Sequence, residues 1–165
     1  MAEFSYTDLL PLGHDETAYR KIADGGVETS QAFGETTLIA DPSKIVDLCR
    51  YLKDSEKFIR LSAVTAVDWY PEEPRFEVVY HLHSLERNTR LRIKCRLGGA
   101  DPAIDSVTSV WRGADWYERE VYDMFGIQFR GHPNLVRILM PTDWEGHPLR
   151  KDYPVHGYKY GYGNE

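Results

Sequence analysis

Three consecutive segments in the middle of the chain alternate apolar and polar residues, and this alternation constrains the fold more than any other feature. They span residues 59–69, 76–82 and 91–97, and short turns separate them. A period of two is the pattern of a β-strand with one buried and one exposed face. Short turns between such strands predict antiparallel neighbours in one sheet. The third segment turns a basic face outward, made of Arg90, Arg92, Lys94 and Arg96.

A hairpin and a helix are predicted before these strands. Residues 27–33 and 36–40 read as two strands that join at Gly34-Glu35. Asp41-Pro42 is a cap followed by proline in the first helical turn. The helix after it places four apolar residues on one face, namely Ile45, Leu48, Cys49 and Leu52.

Two more helices are predicted from the same start signals. One follows Asp15 and ends at residues 24–26, and the other follows Asp101-Pro102 with Ile104, Val107 and Val110 turned inward. Together these elements predict an α+β fold. It consists of an antiparallel or mixed sheet of about five strands with helices packed on it, in a domain that spans residues 1–126.

The last 39 residues, 127–165, form a different region. They contain four prolines and five glycines and show no sustained period of two or 3.6 residues. Segments this long without regular structure are uncommon inside compact domains. Yet many of their side chains are too apolar to be left in water. We therefore predict a long, irregular and extended C-terminal tail that wraps a partner subunit.

Composition narrows the possible functions. The chain has 165 residues and a net charge of −6, which disfavours nucleic acid as a partner. No apolar run reaches the ~18 residues of a membrane span, and the N-terminal residues lack a signal or transit pattern. Cys49 and Cys95 stand alone without ligand spacing. We expect both to be buried apolar side chains, and we expect no metal site.

Residues 116–127, WYEREVYDMFGI, predict a short acidic helix. Asp115 with Glu118 fits a capping box, and Gly126 fits the glycine that ends a helix. Arg119 lies four residues from both Asp115 and Asp123, so it is expected to pair with them. The carboxylates Glu118, Glu120 and Asp123 permit three interpretations: a solvated face, a buried ionic interface, or an acid/base pair made by Glu120 and Asp123.

Two groups of histidines have simple structural explanations. His81 and His83 project from one side of a strand, but no third metal ligand is evident. His132-Pro133 and His147-Pro148 resemble turn anchors in which the imidazole bonds a backbone carbonyl.

The run EREVYDMFGIQFRGHPNLVRIL, residues 118–139, resembles the signature of the C-subunit family of respiratory complex I, the NADH-quinone oxidoreductase. The matching positions are Glu118, Arg119, Glu120, Asp123, Met124, Phe125, His132 and Arg137. A second block, residues 143–154, is similar to the same family through Trp144, Gly146, Pro148, Leu149, Arg150, Lys151, Asp152, Tyr153 and Pro154. One departure is Val136, where the family usually has an arginine.

The resemblance implies a structural subunit in the peripheral arm of this enzyme, with no cofactor and no independent activity of its own. FMN and iron-sulfur clusters in other subunits would carry electrons from NADH to quinone. The implied partners are the larger D subunit, which helps form the quinone pocket, and the cluster-bearing subunits. The implied location is peripheral, on the cytoplasmic side of the inner membrane. The residues expected at interfaces are Glu118, Arg119, Glu120, Asp123, Gly126, His132, Arg137, Trp144, Pro148, Arg150, Lys151, Asp152 and Tyr153.

Other functions remain open at this level. Within the wider family, an equivalent subunit serves ferredoxin-fed quinone reductases and membrane-bound energy-converting hydrogenases. A stand-alone hydrolase would use Glu120 and Asp123. An anion-binding module would use the basic face of the third alternating strand.

Overall fold

The fold is described by a computed structural model that covers residues 27–32 and 34–154. The predicted helix after Asp15 lies outside these residues. The strands are β1 (Val27–Ala32), β2 (Glu35–Ala40), β3 (Arg60–Asp68), β4 (Phe76–Ser84), β5 (Thr89–Leu97), β6 (Ala103–Asp105) and β7 (Gln128–Arg130). The helices are α1 (Ile45–Asp54) and α2 (Ala114–Phe125), and a short 3-10 turn, Pro42–Lys44, precedes α1.

Five strands form one mixed sheet in the order β1-β2-β5-β4-β3. All neighbours are antiparallel except β2 and β5, which run parallel. Helix α1 carries the chain back so that β3 runs in the direction of β2, and the two antiparallel turns that follow give β5 the same direction. The hairpin between β1 and β2 turns at Gly34, whose φ of 77° is readily adopted by glycine. The predicted α+β class and the five-stranded sheet are confirmed.

The core lies on one face of the sheet. Alternate residues of β4 and β5, such as Tyr80 and Ile93, are fully buried there. The four predicted apolar residues of α1 are all buried against it, and Asp41 accepts a hydrogen bond from the Ser43 N–H at 2.8 Å to begin the 3-10 turn. Cys49 and Cys95 are buried as predicted. Burial raises the pKa of Cys49 well above its usual value and that of Cys95 to about 12, so both stay neutral thiols.

The predicted helix after Asp101-Pro102 is wrong. Residues 103–105 instead form β6, which pairs in parallel with β7. The Gln128 N–H donates to the Pro102 carbonyl at 2.8 Å and the Ser106 N–H to the Arg130 carbonyl at 2.9 Å. These partners satisfy the backbone of an extended segment rich in β-branched residues. The capping signal at Asp101-Pro102 involves only neighbouring residues, whereas β7, which pairs with this segment, lies over 20 residues away and cannot be recognised from that signal.

The predicted capping box of α2 is also wrong. The helix begins after Gly113 and has no side-chain cap at its N-terminus. The Glu118 carboxylate turns away from the helix start and binds another segment. The predicted end is correct, because Gly126 takes the left-handed conformation with φ 75° and its N–H donates to the Tyr122 carbonyl at 2.8 Å.

Within the described part of the tail, β7 is the sole strand, and residues 131–154 form neither helix nor strand. This segment, called the tail segment below, folds back on α2 of its own chain. Its Leu149 N–H, for example, donates to the Met124 carbonyl at 3.1 Å. Wrapping of a partner by the tail therefore stays a prediction, and it concerns the outward surface of this segment.

Candidate functional site

Helix α2 presents its three carboxylates to three different environments. The side chains of Glu118 and Asp123 are fully buried on separate partners, whereas Glu120 is exposed to solvent. Glu120 and Asp123 therefore do not converge on one cleft as an acid/base pair would. Of the three interpretations, a buried ionic arrangement describes Asp123 and a solvated face describes Glu120, whereas Glu118 is buried on uncharged hydrogen-bond donors.

Asp123 binds the tail segment through four hydrogen bonds. Its Oδ1 accepts from Arg137 Nη1 at 2.6 Å. Its Oδ2 accepts from three successive backbone N–H groups, those of residues 138, 139 and 140, at 3.0, 2.8 and 2.8 Å. Burial alone would raise the pKa of Asp123, but these N–H groups and Arg137 lower it below its usual value. One carboxylate thus fixes the path of an irregular segment.

The tail segment also caps the last carbonyls of α2. His147 Nδ1 lies 3.0 Å from the Asp123 carbonyl, and Arg150 Nε donates to the Phe125 carbonyl at 2.6 Å. Arg137 Nη2 bonds the Gly146 carbonyl at 3.0 Å and so ties the segment to itself. The two guanidinium groups at this helix C-terminus, those of Arg137 and Arg150, are also stabilised by the helix dipole. The role of His147 as a turn anchor is confirmed.

Gly126 is enclosed where these side chains meet. A Cβ atom at this position would lie 2.5 Å from Arg150 Nη2 and 2.6 Å from the His147 ring. Both the left-handed backbone and the space therefore require glycine. Burial lowers the pKa of His147, and Arg150 and Arg137 nearby lower it further, although the Asp123 carbonyl opposes them. The imidazole is therefore neutral at pH 7.

Arg75 joins the end of the tail segment to the sheet and was missed by the sequence analysis. Its guanidinium binds Asp68 twice, at 2.8 and 2.7 Å, and binds Asp152 twice, at 3.0 and 2.6 Å. The Lys151 N–H also donates to Asp68 at 2.8 Å. Asp152 was predicted as a site residue, but no local pattern points to Arg75, because 77 residues separate the two.

The ionic contacts shift the pKa of Asp68. Burial alone would raise this pKa, but the hydrogen bonds from Arg75, Lys151 and Tyr70 outweigh burial and lower the pKa to about 2. The carboxylates of Asp68 and Asp152 in turn raise the pKa of Arg75. Because the unfolded Asp68 ionises near its ordinary value of 3.8, this group stabilises the fold above about pH 4 and loses its contribution as pH falls toward 2.

Glu118 binds the segment that follows β6. Its carboxylate accepts from the Ser106 hydroxyl at 2.6 Å and from the Val107 N–H at 2.7 Å. The fully buried His132 side chain lies beside it, with Nε2 at 3.9 Å from Oε2. The Asn134 N–H donates to His132 Nδ1 at 3.0 Å, so Nε2 carries the hydrogen and faces the Asp115 carbonyl at 3.3 Å. His132 is thus a carbonyl-bonding turn anchor, as predicted.

Glu118 is expected to make the stability of the fold depend on pH. Burial raises its pKa to about 7 despite the bonds from Ser106 and Val107. Its ordinary value is 4.5, so between about pH 4.5 and 7 the unfolded chain releases a proton that the folded chain keeps. Stability therefore falls as pH rises through this window, by about 3 kcal/mol in all.

The measurement is urea unfolding at pH 5 and pH 8. Glu118→Gln stays neutral, so the loss of free energy of unfolding between the two pH values should be smaller than in the natural chain by about 2–3 kcal/mol. Glu120→Gln, an exposed change on the same helix, should leave that loss unaltered. An equal loss in the natural chain and in Glu118→Gln would show that Glu118 is not the group responsible.

The predicted pairing of Arg119 with Asp115 and Asp123 is wrong. Arg119 donates to the carbonyls of Val136 and Arg137 at 3.1 and 3.3 Å. Its guanidinium also stacks over the Trp116 ring at 5.3 Å. The cause is Arg137, which occupies Asp123 and leaves Arg119 to bind the backbone beside it. Since the Val136 side chain is exposed, an arginine is not needed at that position to pair with Asp123.

The remaining predicted site residues lie in or beside the tail segment. The Trp144 backbone N–H donates to the Pro141 carbonyl at 3.1 Å, and Pro148 is half-buried. The Lys151 side chain is exposed although its backbone is bound to Asp68. The Tyr153 hydroxyl donates to the Glu145 carbonyl at 3.3 Å. Of the predicted residues, Arg119, Asp123, Gly126, Arg137 and Arg150 are brought together where the tail segment meets α2, whereas Lys151 and Asp152 lie at the sheet.

No three His, Cys, Asp or Glu side chains are placed to hold a metal ion in residues 27–32 and 34–154. His81 and His83 are half-buried on the outer face of the sheet. Neither helix of this part of the chain is long and apolar enough to cross a membrane.

Comparison with known proteins places these observations in a family. The family described as respiratory-chain NADH dehydrogenase, 30 Kd subunit, matches residues 38–159. The C subunit of the NADH-quinone oxidoreductase of Citrifermentans bemidjiense is 49% identical over 137 residues, which are 83% of this chain and 85% of that protein. The C 2 subunit of the Rhizobium etli enzyme is 53% identical over 130 residues, or 78% of this chain and 69% of that protein.

Two solved structures are similar. A trypsin-resistant fragment of Nqo5 superimposes with a TM-score of 0.61 at 30% identity and covers 67% of this chain and 90% of the fragment. A chain of the membrane-bound sulfane sulfur reductase, an archaeal respiratory membrane complex, has a TM-score of 0.71 at 30% identity and covers 79% of this chain and 78% of its own. With the family match and the long, highly identical relatives, these findings show that the chain belongs to the C-subunit family of NADH-quinone oxidoreductase.

Proposed function

We propose that this chain is a cofactor-free structural subunit in the peripheral arm of a proton-translocating NADH-quinone oxidoreductase. It supports electron transfer from NADH, through the FMN and iron-sulfur clusters of other subunits, to quinone, and it has no independent activity. It docks on the D subunit, which helps form the quinone pocket, and on cluster-bearing subunits, at the cytoplasmic side of the inner membrane. Membership of the C-subunit family supports the assignment to this enzyme.

An exposed apolar surface along α2 is the observation that carries the proposal. It consists of Trp116, Val136, Leu139 and Leu149, which are 61%, 46%, 59% and 54% exposed. We call these four residues the docking surface. Half-exposed large apolar side chains that lie close together mark interaction sites on soluble domains. Aromatic residues in particular are enriched in the interfaces of stable complexes.

Trp116 lies on α2, and contacts with α2 tie the other three residues to the same helix. Trp116 stacks with Arg119, and Arg119 binds the Val136 carbonyl. The N–H of Leu139 is held by Asp123, and that of Leu149 by the Met124 carbonyl. The N–H groups of Val136, Leu139 and Leu149 and the Val136 carbonyl are thus bound within the chain, while the apolar side chains are exposed. A partner could bury these side chains without leaving those backbone groups unpaired.

A surface substitution tests the proposal. Leu139→Glu places a charge in the docking surface and should prevent assembly of the complex, seen as loss of the full-size band on native gels of solubilised membranes. The free energy of unfolding of the isolated chain should change by no more than about 0.5 kcal/mol, since the side chain is exposed. Leu85→Glu is a matched control, because Leu85 is 56% exposed outside this surface. Normal assembly with Leu139→Glu would overturn the proposal.

A second candidate is the equivalent subunit of a ferredoxin-fed quinone reductase or a membrane-bound energy-converting hydrogenase. The structural similarity to a chain of an archaeal respiratory membrane complex supports this second candidate. The higher identity to NADH-quinone oxidoreductase subunits favours the first candidate. Purifying the complex through this chain decides between them, because NADH-dependent quinone reduction by the purified complex is expected only from the first.

A further inference from the structure

The outer face of the sheet has a neutralised end and a cationic end. At the neutralised end, Glu77 of β4 pairs with Lys94 and Arg96 of β5 at 2.9 and 3.2 Å. These pairs account for half of the basic face that the sequence predicted on β5. The other half, Arg90 and Arg92, lies at the opposite end of the strand.

At the cationic end, three basic side chains lie in one row across three strands. Arg60 of β3 faces His83 of β4, and His83 faces Arg90 of β5 in the strand register. No carboxylate pairs with Arg60 or Arg90 among the described residues. Arg60 and Arg90 therefore lie on either side of His83, two strand spacings or roughly 10 Å apart. An anion bound over His83 would lie within reach of both long guanidinium side chains.

The next row contains the one acid that lines this end in the described part of the chain. His81 faces Arg92, and Arg92 pairs with Glu35 of β2. Glu35 is therefore already engaged and does not neutralise Arg60 or Arg90. Burial lowers the pKa of His81, and Arg92 lowers it further, so this imidazole is neutral at pH 7 and offers a hydrogen-bond donor without charge.

A bulge in β3 shapes this end of the sheet into a groove. The register shifts between Leu61 and Ala63, which leaves Ser62 as the extra residue. Bulges leave one residue outside the strand ladder and re-aim its side chain. The groove has a volume of about 520 Å³ and is lined by Arg60, Ser62, His81, His83, Arg90 and Arg92, among others. This volume is in the range of small-molecule sites.

We propose that this groove binds an anion that bears a phosphate group, with Arg60 and Arg90 as its charged contacts and His83 and Ser62 as further donors. Guanidinium groups bind phosphate through paired hydrogen bonds. Two guanidinium groups without a carboxylate partner among the described residues match the double charge of a phosphate better than the single charge of a carboxylate. The site lies on the opposite side of the sheet from the core, and it does not depend on the assembly proposed above.

Titration of the full-length chain with inorganic phosphate tests the site. Two-dimensional NMR at pH 7, with ionic strength held constant by chloride, should show saturable shifts at Ser62, His83 and Arg90. Arg60→Gln and Arg90→Gln should each weaken binding by at least tenfold, since each removes a charge-assisted contact. Arg50→Gln, which removes the same charge from the exposed side of α1, should leave binding unaltered.

Two further comparisons test whether the groove selects phosphate over carboxylate and whether the phosphate belongs to a lipid or is free. Glutamate at the same concentration should cause no saturable shift. Vesicles of phosphatidylcholine with phosphatidic acid should bind the natural chain more strongly than Arg60→Gln if the phosphate belongs to a lipid headgroup, and equally weakly if the ligand is a free phosphate. The proposal fails if phosphate causes no saturable shift, if glutamate matches it, or if both arginine variants bind as tightly as the natural chain.

Discussion

Replacing Asp123 by alanine is expected to release the tail segment from α2 and to prevent assembly of the complex. The change removes four hydrogen bonds at once and leaves the Arg137 guanidinium, which is 17% exposed, without its carboxylate. Breaking a buried ion pair on one side costs about 3–5 kcal/mol. The free energy of unfolding should fall by this amount, and the amide protons of residues 138–140 should lose protection from hydrogen exchange.

The matched control is Glu120→Ala, which removes a carboxylate from the exposed side of the same helix. It should change the free energy of unfolding by less than about 0.5 kcal/mol and leave assembly on native gels intact. Under the proposed structural role, Asp123 positions the docking surface and takes no part in electron transfer, so the quinone reductase activity per assembled complex should stay normal. An Asp123→Ala complex that assembles fully but lacks activity would contradict this role.

Replacing Arg75 by alanine is expected to have a destabilising effect of similar size. It removes all four contacts with Asp68 and Asp152 and leaves Asp68, only 4% exposed, without a counter-charge. A loss of about 3–5 kcal/mol at pH 7 follows. Arg75→Lys should not restore stability, since one ammonium group cannot reproduce a guanidinium that binds two carboxylates in a plane.

The effect of Arg75→Ala should depend on pH in a defined direction. In the natural chain the Asp68 contribution is complete above about pH 4 and is lost as pH falls toward 2, so the difference between the two proteins should shrink on acidification. Arg130→Ala breaks an exposed pair with Asp105 and should cost less than about 1 kcal/mol. Equal losses from Arg75→Ala and Arg130→Ala, measured by urea unfolding, would refute a special role for Arg75.

Elements whose information is local were predicted correctly. The central strands β3, β4 and β5 follow from their alternation, α1 follows from its apolar face, and the 3-10 turn before it follows from the Asp41 cap. Gly126 ends α2 as expected, because a left-handed position has a local signature.

The failed predictions share one physical cause. The segment after Pro102 became a strand because β7 supplied its backbone partners from a distant part of the chain. Glu118 left its expected cap position because Ser106 and Val107 offered donors in the interior. Arg119 lost Asp123 to Arg137, and Arg75 was missed because its partner is 77 residues away. In each case a tertiary contact outweighed a local preference, which one sequence cannot reveal.

The composition of the tail alone does not explain why it would need a partner subunit. Part of its backbone is already bound within the chain, because Asp123 accepts from the N–H groups of residues 138–140 and the Met124 carbonyl accepts from the Leu149 N–H. What remains uncovered is the set of apolar side chains in the docking surface. The proposal of a partner therefore depends on these four exposed residues and not on a lack of regular structure.

Site-specific photo-crosslinking in native membranes tests that proposal most directly. A photoreactive amino acid placed at position 139 should give a crosslinked product that joins this chain to the D subunit, identified by mass spectrometry. The same amino acid at position 85 should not give that product. A complex that assembles and oxidises NADH while position 139 yields no crosslink to any other subunit would contradict the account.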